Sequence, residues 1–190
     1  LTAAIASAIL VNNYGMATTD FQAVPGNDSR LAQFLVQKDI DAAALRTVTL
    51  ALLSDVKLKK IGSFREEWKK LTGKNAPPVL GVGLMSNAWL KANPADAAKV
   101  IAGMRNTFEA GKADKTAVAK ALMESGNVPE AEAKAYAALW DGIYTVSMEP
   151  ADIASLKAEF DVFKSVDAVK GTLPDAALVN GPYEQSKSIK

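Results

Sequence analysis

Hydrophobic patterning changes character near residue 86, and that change constrains the fold more than any single motif. Up to residue 85, apolar residues fall into short runs separated by Gly, Pro and charged clusters. Residues 1–14 place Leu1, Ile5, Ala8, Ile9 and Asn12 on one helical stripe, with Gly15 as the stop. Four short runs then read as strands: Phe21–Val24, Ile40–Leu45, Val56–Ile61 and Val79–Met85. Between them lie helical stretches, one opened by Asn27 or Asp28 with Leu31, Phe34 and Leu35 inward, one at 48–55, and one at 65–72 closed by Gly73. Helix and strand alternating at short intervals predict an α/β layer with a largely parallel sheet.

From Asn87 to Val166 the pattern is helical throughout. Val100, Ile101, Met104 and Phe108 recur at helical spacing, as do Ile153, Leu156, Phe160 and Phe163. Pro94 and Pro129 stand where helices begin, and Asp114 is placed to cap another. The expected organisation is an α/β lobe over residues 1–85 and a helical part over 86–190. The tail after Gly171 reads as loop, one turn at Pro174–Leu178 and a polar end.

Composition narrows the chemistry. The 190 residues are 49% hydrophobic and 23% charged, the balance of a globular protein. Net charge is +1, and no basic run interleaves with aromatics, so no nucleic-acid partner is expected. The chain has no Cys and no His. That removes disulfides, thiolate chemistry, the commonest general base and the usual transition-metal ligands, so neither a cofactor nor a metal is expected. No paired carboxylates, Walker A sequence or nucleophile elbow stands out; Gly81-Val82-Gly83 lacks the rest of a dinucleotide fingerprint. No run approaches the about 20 apolar residues of a membrane span.

In an open α/β sheet, ligands bind beyond the carboxyl ends of the strands, where helix starts point their N–H groups outward. Two loops fit: Asn27-Asp28-Ser29 and Arg46-Thr47. Arg46 offers a charged fork suited to a carboxylate, sulfonate or phosphate, and Thr47 adds a hydroxyl. The plainer alternatives are a structural salt bridge for Arg46 and helix capping for Asn27, Asp28 and Ser29. Trp68, Trp89 and Trp140 sit among apolar neighbours, and core packing is their ordinary role.

The run VPGNDSRLAQFLVQKDIDAAAL resembles the second lobe of periplasmic substrate-binding proteins of ABC importers, of the nitrate/sulfonate/taurine and thiamine-precursor type. SNAWLKANPADAAKVIAGM is similar to that family's crossing segment, and MEPADIASLKAEFDVFKSVDAVKG to its C-terminal helix and turn. Lys38 stands near the family's usual glycine. The resemblance implies a type II periplasmic-binding-protein-like fold and capture of a small, anionic solute between two lobes, for delivery to an ABC permease in the inner membrane. It implies a periplasmic location. It also implies that a leading lobe would precede Leu1, and that Met104, Phe108, Phe160 and Phe163 would be covered by that lobe, by a dimer partner or by repacking. On this reading Arg46, Thr47, Asn27 and Asp28 line the cleft, and Ser86 and Asn87 lie near the crossing between lobes. Two alternatives remain open: an enzyme of small-metabolite biosynthesis on the same fold, and a sensory or interaction domain.

Overall fold

A computed structural model describes residues 2–143 and 145–189. Helices account for 61% of it, and the described residues contain no strand. The elements are α1 (Thr2–Tyr14), α2 (Asp28–Gln37), α3 (Thr47–Ala51), α4 (Phe64–Thr72), α5 (Asn87–Ala92), α6 (Pro94–Ala113), α7 (Lys115–Gly126), α8 (Glu130–Ile143), α9 (Pro150–Ser165), a 3₁₀ turn (Asp175–Ala177) and α10 (Gly181–Ser186). The expected α/β, periplasmic-binding-protein-like fold class is therefore overturned: the fold is all-α. Each of the four runs read as strands is turn or irregular chain. The reason is physical. A strand exists only where a neighbour takes up its main-chain groups, and none of the four finds one. Ala42-Ala43-Ala44 and Gly81/Gly83 are also poor strand formers.

The chain divides into two compact units that interleave along the sequence. The first comprises Leu1–Ala23, Lys59–Ala95 and Ser147–Glu184. Its core gathers Ile5 and Ile9 of α1, Trp68 of α4 and Phe163 of α9, with Phe64, Leu71 and Val162 packed around them. Trp68 is 1% exposed. The end of α1 is tied to α4 by polar contacts: Asn13 Nδ2 donates to the Glu67 carbonyl and carboxylate, and Tyr14 Oη donates to Glu67 at 2.8 Å. Gly73, at φ +69°, closes α4 in the left-handed region that a side chain would resist. At the start of α9, Asp152 accepts from the Glu149 N–H at 3.0 Å and from the Ser147 hydroxyl at 2.6 Å.

Two residues one turn apart on α9 hold a non-helical segment against it. The Ser155 hydroxyl donates to the Pro77 carbonyl at 2.9 Å, and Glu159 Oε2 accepts from the Val79 N–H at 2.7 Å. Both side chains are buried. Burial pushes the Glu159 carboxyl above its ordinary value, against the downward pull of the Val79 N–H. The tail also departs from its polar reading, since α10 buries Tyr183 and Ser186.

The second unit comprises Val24–Leu58, Asp96–Val146 and Gln185–Lys190. There α7 packs on α8 through Val118, Ala119 and Ala137, flanked by Leu122 and Trp140. Asp114 caps α7 by accepting from the Ala117 N–H, as its position predicts. Gly111 of α6 allows Trp140 to approach. A Cβ placed on it would lie 2.5 Å from Trp140 Nε1 and 2.9 Å from Val118 Cγ2. The indole cannot retreat, because Nε1 donates to the Phe108 carbonyl at 2.9 Å and the ring packs on Phe108 at 5.3 Å between centroids. Of the faces expected to need cover, Phe163 is in a core and Phe108 meets Trp140, whereas Met104 stays 49% exposed. Trp89, expected in a core, is also exposed.

Two outcomes follow for stability. Gly111→Ala should cost about 1–3 kcal/mol by overpacking, outweighing the roughly 1 kcal/mol that alanine gains over glycine inside a helix. Trp68→Ala should cost about 3–5 kcal/mol. Urea unfolding followed by circular dichroism checks both, and a Gly111→Ala protein as stable as the parent would contradict the close approach.

Candidate functional site

A connected polar cluster in the second unit lies at the starts of α2 and α3. Asn27 takes an extended conformation and caps α2, its Oδ1 accepting from the Arg30 N–H at 2.9 Å. The cap leaves Asp28, the first helical residue, with its carboxylate free to reach the next loop. Asp28 Oδ2 accepts from the Arg46 main-chain N–H at 2.9 Å, from Arg46 Nε at 3.0 Å and from the Thr49 hydroxyl at 2.7 Å. One carboxylate oxygen thereby fixes the residue before α3, its side chain and its first turn.

Arg46 extends from that anchor toward α8. Its Nη1 donates to the Tyr136 hydroxyl, its Nη2 lies 3.9 Å from Glu132 Oε1, and its guanidinium carbon sits 5.7 Å from the Tyr136 ring centre. Glu132 and Tyr136 are one turn apart and so share a face of α8. The Arg46 side chain remains 53% exposed. Burial works to raise the Asp28 carboxyl, but the Thr49 hydroxyl, the Arg46 N–H groups and the Arg46 charge outweigh it and hold the carboxyl below its ordinary value. The Asp28 hydrogen bond in turn raises Arg46, against burial.

Asn27, Asp28 and Arg46, read from the sequence as cleft residues, thus stand together. Thr47 does not join them: it is exposed at the head of α3, and Thr49 supplies the hydroxyl instead. Ser86 and Asn87 belong to the other unit. Ser86 caps α5 by accepting from the Trp89 N–H at 3.2 Å, and Asn87 is that helix's exposed first residue. Sequence reasoning missed Thr49, Glu132 and Tyr136. A hydroxyl three residues past Arg46 is a findable signal if α3 is taken to start at Thr47. The α8 pair, 86 and 90 residues beyond Arg46, leaves no local trace.

Chemically, the cluster holds one cation among two carboxylates, a phenol and a hydroxyl. It can recognise a charged group. No group of three or more metal-ligating side chains occurs among the described residues. None of the described helices is long and apolar enough to cross a membrane. Comparison with family models, curated proteins and solved structures returns no match.

The cluster's share in stability follows from linkage. Because the folded state holds the Asp28 carboxyl below its unfolded value of about 3.9, its contribution is present above that pH and is lost as pH falls through the folded value. Asp28→Asn should therefore lower stability near pH 7 by about 1 kcal/mol, a hydrogen-bond-sized loss discounted for solvent screening. The gap to the parent should shrink below pH 4. Thermal melting across pH 3–7 reads both, and a gap independent of pH would remove the ion pair as the cause.

Proposed function

We propose that this chain captures a small solute bearing an anionic group, as the binding component of an ABC importer, with Arg46 as its recognition point. The observation that supports this reading is the convergence of Asn27, Asp28 and Arg46 at two consecutive helix starts, with a guanidinium anchored on one side and 53% exposed. Anchoring by Asp28 sets the orientation of the fork in advance, so little side-chain entropy is lost on binding. The Nη2 contact with Glu132, at 3.9 Å, is the long one, and a carboxylate or sulfonate oxygen is placed to replace it. With Asp28 and Glu132 flanking a single arginine, local charge is −1. That balance favours a solute carrying an ammonium as well as its anionic group, the ammonium meeting the displaced Glu132. Delivery to a permease, and a periplasmic setting, belong to the same proposal.

Titration calorimetry with an aminoalkanesulfonate, sulfate and nitrate tests it. The expected result is saturable binding of the aminosulfonate ahead of the inorganic anions, weakened more than about tenfold by Arg46→Ala, the loss of one charge-assisted contact pair. No binding by the parent protein, or equal affinity in Arg46→Ala, would sink the proposal and leave Arg46 as a structural brace.

An interaction role is a second reading with its own support. The stretch between Lys74 and Lys91 carries no charge, and it leaves Leu80, Val82 and Leu84 at 61%, 57% and 88% exposed.

A further inference from the structure

Positive charge in the first unit is gathered on one stretch of chain. Residues 59–95 carry seven basic side chains against Glu66 and Glu67, a net charge of +5 in a chain whose total is +1. All seven are exposed. The ion pairs of the described residues engage Arg46 and six lysines elsewhere, and none engages a basic residue of this stretch. The uncharged run between Lys74 and Lys91 lies within the same stretch. Leu80, Val82 and Leu84 are exposed there even with Leu156, Phe160 and Phe163 of α9 against residues 79–82, and Trp89 is 41% exposed. Ile61, next to Lys60, is 78% exposed.

We propose that this stretch seats the chain on the surface of an anionic lipid bilayer, its lysines among the headgroup phosphates and Leu80, Val82, Leu84 and Trp89 in the interface. The two features together select the partner. Unpaired cations are drawn to an anionic leaflet, each adding to the attraction. Exposed apolar side chains gain only where an apolar medium receives them. Nucleic acid offers phosphates without that medium. An acidic protein offers it only through a pocket shaped to these side chains, whereas a bilayer makes no demand on shape. Tryptophan favours the headgroup level, and Trp89 stands between Leu84 and Lys91. Reach agrees. Lys91 follows Trp89 by two residues and Lys74 precedes Leu80 by six, at most about 7 Å and about 22 Å of extended chain. The attachment is peripheral and reversible. Solute capture at Arg46 does not depend on it.

Vesicle flotation with the whole chain tests the proposal, using phosphatidylcholine alone and phosphatidylcholine with an equal part of phosphatidylglycerol. The chain should float with the mixed vesicles and not with phosphatidylcholine alone, and added salt should release it. Tryptophan emission should shift to the blue on binding. Trp89→Phe should remove most of that shift, since Trp68 is already buried. Lys74→Glu combined with Lys91→Glu should weaken binding more than about tenfold. Leu84→Asp, at an 88% exposed position, should do the same with an unchanged circular dichroism spectrum. Four results would overturn the proposal: no flotation with the mixed vesicles; equal flotation with both kinds, the mark of apolar contact alone; Leu84→Asp binding as the parent does, the mark of charge alone; or tighter binding to polyglutamate than to the mixed vesicles, which would assign the stretch to an acidic protein.

Discussion

Many of the buried positions in this molecule are held by residues with almost no side chain, and that constraint shapes the rest. Ala97, Ala98, Ala102, Ala133 and Ala137 are all buried, and Gly111 admits an indole at a distance a methyl group would forbid. Small residues let helix axes come close, but each removes little apolar area from water, at about 25 cal/mol per Å². A few big side chains are buried with them. In the first unit Trp68 fills the space between α1, α4 and α9. In the second, Trp140 bridges α6 and α8 and is locked by its hydrogen bond to Phe108. The same economy leaves Val100, Met104, Leu52 and Ile61 outside.

Two carboxylates do similar work in opposite electrostatic settings. Asp28 and Glu159 each receive a main-chain N–H from a residue far along the chain, Arg46 and Val79 respectively, and so dock a non-helical stretch onto a helix. Asp28 is partly solvated and collects a hydroxyl and an arginine besides, which keeps it ionised. Glu159 sits among Leu156, Phe160 and Phe163, where burial favours the protonated acid. Environment rather than residue type sets the direction of each shift.

The site proposed for solute capture is economical in the same way. Its cation is held by groups that first serve the fold, and its exposed side is what remains for a ligand. Asn27 explains itself as a cap, and Arg46 as a brace, yet the brace leaves the guanidinium half exposed beside Tyr136. On the proposed reading, structure and recognition draw on one set of hydrogen bonds, so affinity and stability are measured together.

Local chemistry alone determined most of the helices and many of their ends, though not α10. The spacing of Val100, Met104 and Phe108, the cap at Asp114, the cap at Asn27 and the stop at Gly73 were all legible, because each acts within one or two turns of chain. The four apolar runs read as strands were not decided there, since alternation shows what a strand would look like but not whether an edge exists to receive it. Nor could the sequence say that Arg46 would spend its donors on Asp28, Tyr136 and Glu132, or that Thr49 rather than Thr47 would join them. Those pairings join residues from 18 to 90 positions apart. Only the folded chain brings them within reach, because hydrogen bonds and ion pairs depend on distance in space, to which separation along the chain is no guide.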